Sequence, residues 1–283
     1  MNDFAQEYGL FIAMHPFERV SVGGYGFDVI SAGGGRQTLV FLNCIDVYHA
    51  WAKYVGALSG QYRAVMLKYP TALYKAAEMT AALRALFKKL CIEAPVLCGA
   101  GDGGVLAQLY ARRYRVGGLV MMSALTVDCS YAQRLRRDRA LPAVARLCVK
   151  SLSPQKIEEL LAKKAKKLFS GESAEERAYA LSFLKYASAQ AGFRAALLRA
   201  LNAAADMCAQ PALTKSDLAY LRGRVLVLIP ENDMLDGADV RKMTDVFTEP
   251  AVRAVCGGNL GVVTRAELYI EQITEFLARV CEE

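Results

Sequence analysis

Gly99-Ala100-Gly101-Asp102-Gly103-Gly104 joins a short apolar run, Ala94 to Cys98, to an amphipathic run ending at Arg113. That is the composition of a nucleophile elbow, a sharp strand-to-helix turn that lifts one side chain above a sheet and admits only small neighbours. In the G-x-S-x-G-G form of the corner, the third residue attacks an acyl carbon. Here the third residue is Gly101. The small residues that the turn needs are all in place, and the nucleophile is missing. Gly101 also has a backbone explanation, because the elbow conformation costs about 1–3 kcal/mol for a residue with a Cβ and glycine adopts it freely.

Shifting the frame by one residue presents Asp102 in a small-x-Asp-x-small corner. A carboxylate there can attack carbon and form an ester intermediate, whose release needs a base to activate water. The shift requires an insertion before the corner and a deletion after it. Asp102 also begins the helix, where a carboxylate caps free N–H groups and meets the positive end of the dipole. The structural role as a cap is the expectation for this residue.

The elements that position such a corner follow from the hydrophobic pattern. Phe17 to Val22 and Tyr25 to Ser31 read as a hairpin turning at Gly23-Gly24, and Thr38 to Leu42 as a buried parallel strand. A helix is expected over about 48–58, a strand over 62–67 and a helix over about 73–90. The elbow strand and helix follow, then a buried strand over 118–123. From Thr126 to Arg222 the strands stop and Ala-, Leu-, Lys- and Arg-rich helices take over. The sheet resumes at 224–229, with a helix near 238–247, a strand over 252–256 and a closing helix over 265–280. Strands alternating with helices imply an α/β fold, a mostly parallel sheet covered on both faces. The expected division is a core of residues 1–125 and 223–283 with a helical cap insertion, 126–222, over the carboxyl ends of the strands, where open α/β sheets bind ligands.

Composition narrows the class. With 283 residues, 54% hydrophobic and 22% charged, the chain can bury a sizeable core and is not disordered. Val116 to Val127, the longest apolar stretch, is too short for a bilayer span, so no transmembrane segment is expected. Residues 1–7 are acidic, unlike a secretory leader, and eight scattered cysteines without a C-x-x-C pair read as reduced, mostly buried thiols in a cytoplasmic protein. Two histidines make a metal site unexpected, and no cofactor is implied. Of the +7 net charge, a dense block lies between Arg134 and Lys167, read as solvated helix faces, with a docking surface for an acidic protein, lipid or nucleic acid as the sharper option. No nucleic-acid motif accompanies it.

The order of parts resembles the α/β-hydrolase fold over the whole chain outside the cap. Tyr62 to Pro70, Gly99-Ala100 and Gly257-Gly258-Asn259-Leu260 are similar to the maspardin-like branch, which has asparagine in place of the catalytic histidine but keeps the elbow serine. The resemblance implies a triad in the order nucleophile, acid, histidine, falling on Gly101, Asp233 and Asn259; the acid alone survives. It also places Asn43 and Cys44 in the oxyanion loop with His49 nearby, Cys44 and His49 reading more readily as ordinary structural residues. The expectation is a pseudohydrolase that binds a protein partner or small apolar ligand. The alternative is an active hydrolase of esters, haloalkanes or epoxides using Asp102, with His49, Asp233 or Cys44 assisting.

Overall fold

The computed structural model describes residues 3–43, 47–138, 140–169, 171–233 and 235–281; Cys44 and Arg139 lie outside them. The elements in order are α1 (Phe4–Met14), β1 (Glu18–Val22), β2 (Tyr25–Ala32), β3 (Thr38–Leu42), a 3₁₀ turn (Tyr48–Trp51) running into α2 (Ala52–Leu58), β4 (Arg63–Lys68), α3 (Ala76–Lys89), β5 (Val96–Gly101), α4 (Asp102–Arg113) and β6 (Gly118–Ala124). Five helices follow: α5 (Ser130–Arg137), α6 (Ala140–Ser151), α7 (Pro154–Leu168), α8 (Ala174–Ala189) and α9 (Phe193–Cys208). After a 3₁₀ segment (Lys215–Leu221), the chain closes with β7 (Val225–Asn232), α10 (Gly237–Asp245), β8 (Ala251–Gly258), α11 (Gly261–Thr264) and α12 (Ala266–Cys281).

The eight strands form one sheet ordered β1-β2-β4-β3-β5-β6-β7-β8. β2 pairs antiparallel with β1 and β4, and every pairing from β4 onward is parallel. β3 and β6 read as continuous apolar runs because both faces of the sheet are covered. One buried cluster packs α3 and α4 against the sheet through residues such as Leu83, Leu106 and Leu119; another packs α2 and α12 through Trp51, Tyr54 and Tyr269.

Two features depart from the sequence reading. α1 was not anticipated, since its hydrophobic residues gain a partner only across the fold. Phe4 and Tyr8 pack against Phe183 and Tyr186 of α8, with ring centroids 4.9 Å apart for Phe4–Phe183 and 5.3 Å for Tyr8–Tyr186. The Tyr179 hydroxyl donates to Glu7 at 2.6 Å beside them. The thiols are also less buried than expected. Cys98, Cys129 and Cys208 are buried, whereas Cys91, Cys148 and Cys256 are exposed, because helix ends and outer faces leave those positions unpacked.

Candidate functional site

Close backbone approach dictates the corner between β5 and α4. A Cβ on Gly99 would stand 2.6 Å from the Gly103 carbonyl carbon, one on Gly103 would stand 2.2 Å from the Leu42 carbonyl oxygen, and one on Gly104 would stand 2.5 Å from the Ala124 Cβ. The strand, the helix and the ends of β3 and β6 therefore meet at van der Waals limits that only glycine satisfies. Gly101 differs. Its φ of 52° and ψ of −122° are the strained elbow geometry, yet among the described residues beyond its chain neighbours and its own helix backbone no atom lies within 4 Å of the position of a Cβ. The register between β5 and β6 shifts at Ala100/Gly101, a local irregularity of the kind that re-aims residues beside active sites.

Across the site, the ends of β6, β7 and β8 bring together Ser123, Asp233 and Asn259. The Ser123 hydroxyl donates to Asp233 Oδ2 at 3.0 Å. The Asn259 amide donates to Asp233 Oδ1 at 2.5 Å and to Ser123 Oγ at 2.8 Å. The Leu235 backbone N–H adds a further bond to Asp233 Oδ1 at 2.9 Å. An ionised carboxylate only accepts, so the amide nitrogen of Asn259 must face it. The three side chains form a closed ring, and the amide nitrogen of Asn259 within it has no lone pair able to take a proton. Ser123, at φ 42° on the last turn of β6, was not singled out from sequence. Its signal was a serine ending an otherwise apolar buried strand.

Asp102 is the first residue of α4, and Gly101 occupies the N-cap position without a side-chain bond. Among the described residues the Asp102 carboxylate accepts no hydrogen bond from the helix backbone, while its place in the first turn sets it at the positive end of the dipole. The side chain is turned toward a narrow cavity of about 10 Å³, enough for roughly one water, lined by Val105, Leu125, Cys129, Met207 and Cys208. Burial among these groups pushes the Asp102 carboxyl up to about 6. The thiols beside it are raised by burial too, Cys208 to about 12, so neither is a ready thiolate.

The remaining sequence candidates separate. Asn43 is buried where β3 ends against the first turn of α4, since its Cα lies 3.1 Å from the position of a Gly103 Cβ. That contact sets Asn43 against the first turn of α4. His49 instead sits in an aromatic cage, with ring centroids 3.9 Å from Tyr48, 4.9 Å from Tyr8 and 5.4 Å from Tyr186. Burial, with Lys68 adding a smaller repulsion, lowers it to about 3 and keeps it neutral.

The helices between β6 and β7 reach back over this end of the sheet. Arg265 forms a forked pair with Glu176, Nε to Oε1 at 2.6 Å and Nη2 to Oε2 at 3.1 Å, and also donates to the Gly171 carbonyl at 3.0 Å. Hydrogen bonds from Arg265 hold the Glu176 carboxyl down at about 2. Glu172, buried between them, accepts from the Gly258 N–H at 3.2 Å, one residue from Asn259. A two-point latch thus fixes the start of α8 to the end of β8.

No family model and no curated protein sequence matches the chain. Solved structures do. A bacterial membrane phospholipase A described as a virulence factor superposes with a TM-score of 0.73 at 17% identity, covering 99% of this chain and 90% of its own. The enol-lactonase of Burkholderia xenovorans LB400 gives 0.72 at 15% identity, covering 92% and 100%. A thermophilic esterase of Thermogutta terrifontis gives 0.71 at 18% identity, covering 93% and 99%. Sheet order, elbow geometry and these superpositions agree that the chain has the α/β-hydrolase fold.

Proposed function

We propose that this protein is a catalytically silent α/β-hydrolase fold that binds a small apolar ligand or a protein partner without turning it over. The observation that carries the reading is the closed Ser123–Asp233–Asn259 ring at the ends of β6, β7 and β8, together with a glycine, Gly101, where β5 turns into α4. In a triad, removing the nucleophile or the base alone costs about six orders of magnitude in turnover, and both positions are replaced here. The phrases shared with the maspardin-like branch, which also carries asparagine at the histidine position, point the same way. The helical cap over 126–222 is latched beside Asn259, a closure suited to holding a ligand more than to rapid exchange of substrate and product.

A second reading is favoured by one observation, the raised Asp102 carboxyl at the mouth of a cavity. Poised near 6, it has the acidity of a general acid or base. The neighbours named as esterase and enol-lactonase make ester and lactone hydrolysis the chemistry to examine first; haloalkanes and epoxides are the substrates of a carboxylate nucleophile.

Both readings meet in one assay: hydrolysis of activated esters, haloalkanes and epoxides by the wild type, Asp102→Asn and the double variant Gly101→Ser/Asn259→His. Background rates for the first two support the binding reading, and gain of ester hydrolysis in the double variant would show that only the two missing groups silence the site. Wild-type turnover that disappears in Asp102→Asn overturns it.

A further inference from the structure

The charge of this chain is not spread over it. Between Ser130 and Phe169, eleven Lys and Arg oppose three carboxylates, Asp138, Glu158 and Glu159, which gives this segment +8 within a chain of +7. Everything else sums to −1. Within the segment, Arg134, Arg137, Lys150 and the lysines Lys163, Lys164, Lys166 and Lys167 are exposed, and none has a carboxylate within 4.0 Å among the described residues. An unneutralised block of this size is repulsive within itself and attractive to an extended anionic surface.

At the middle of this segment in sequence, α6 is oriented with apolar residues outward. Its inward side, Pro142, Ala145, Arg146 and Val149, is half-buried; Arg146 donates to Asn202 of α9 at 3.0 Å, and Val149 packs near Phe193 and Leu197. The opposite side carries Leu141, Val144 and Leu147, spaced three apart and 40%, 56% and 64% exposed. No residue of α6 is fully buried. A solvated helix would place its charges outward, and here the outward stripe is aliphatic while exposed cations precede and follow it in the chain, on α5, the last turn of α6 and α7. Aliphatic residues at the centre with Lys and Arg around them match the layering of a bilayer surface, acyl chains beneath anionic headgroups.

We propose that α6 and its basic flanks dock this protein on an anionic lipid surface, with Leu141, Val144 and Leu147 entering the interface and the lysines of α7 meeting the headgroups. The attachment is peripheral, since among the described residues no helix is long and apolar enough to cross a membrane. It does not depend on whether the site under the inserted helices is silent or active.

Flotation of the full chain with vesicles tests it, comparing phosphatidylcholine containing about one third phosphatidylserine with phosphatidylcholine alone. Binding is expected on the mixed vesicles, at least tenfold weaker on the neutral ones, and lost as salt rises from about 0.1 M to about 1 M, where the screening length falls to ~3 Å. Val144→Asp and Leu147→Asp are each expected to weaken it about tenfold by removing aliphatic insertion. Lys163→Gln/Lys167→Gln is expected to weaken it about twenty-five-fold, from about fivefold per cation. These side chains are exposed, so unchanged circular dichroism and melting temperature mark the variants as folded. No binding to the mixed vesicles overturns the proposal. So does equal binding to neutral vesicles, or binding indifferent to Leu147→Asp that poly-glutamate competes away, which identifies an acidic macromolecule instead. A self-associated state that Leu147→Asp dissolves would assign the stripe to a second copy of the chain and overturn it as well.

Discussion

Two titratable side chains near the ends of the strands pull stability in opposite directions with pH. Asp102 has its carboxyl raised to about 6 by burial. Its neutral form is favoured in the fold, so its contribution is fully present below about 4, the unfolded value, and is lost as pH rises through 6. His49, lowered to about 3, is favoured neutral; its cost appears as pH falls below about 6.5 and grows down to 3. Between about 4 and 6 the two largely offset each other. Asp102→Asn is therefore expected to raise stability at pH 8 by about 1–3 kcal/mol, to have little effect at pH 4, and so to steepen the fall in stability on acidification between those values. Urea unfolding across that range reads the difference; an unchanged profile would mean that the carboxylate is solvated.

At the scale of elements, the corner and the latch make separable predictions. Gly103→Ala drives a Cβ to 2.2 Å from the Leu42 carbonyl oxygen and must part α4 from β3, with an expected cost of about 3 kcal/mol. Gly101→Ala meets no atom of the described residues beyond its neighbours in the chain and should cost about 1 kcal/mol of backbone strain. Thermal unfolding of the pair checks the order; the reverse order would remove the close-approach account of the elbow. For the latch, Arg265→Ala frees Glu176 and the Gly171 carbonyl at once. Protease cleavage within 171–173 is expected to rise at neutral pH. Because Glu176 is held down at about 2, the wild-type contact contributes fully above about 4.5 and is lost as pH falls through 2. Equal cleavage of both proteins at pH 7 would assign the pair no holding role.

At the scale of the whole molecule, the N-terminal helix ties the inserted helices to the core. Phe4 stands among Tyr8, Tyr179, Phe183 and Tyr186, with ring centroids 4.9–5.8 Å away. Tyr8 continues that contact to His49 beside α2. Phe4→Ala is expected to cost about 3 kcal/mol and to raise hydrogen exchange in both α1 and α8, since each forms the other's apolar seat. Exchange confined to α1 would mean that the inserted helices are held elsewhere, by the Arg265 latch and by the bond from the Ala76 N–H to Asp206 at 2.7 Å.

The sequence by itself determined the sheet and the corner. β3, β5, β6 and β7 are runs whose apolar residues have no alternative to burial on both faces, and Gly99, Gly103 and Gly104 announce a turn that nothing larger can make. It also carried the identities on which the proposed silence rests, Gly101 at the corner and Asn259 after β8, since identity is a property of the chain. Only the tertiary structure decided what those residues touch. α1 shows little sidedness until α8 supplies its partner; Ser123 is an ordinary strand end until β7 and β8 deliver Asp233 and Asn259; Asp102 reads as a cap until Cys129 and Cys208 close around it. Each of these depends on contacts between residues far apart in sequence, and no local period encodes which distant surfaces will remove a side chain from water.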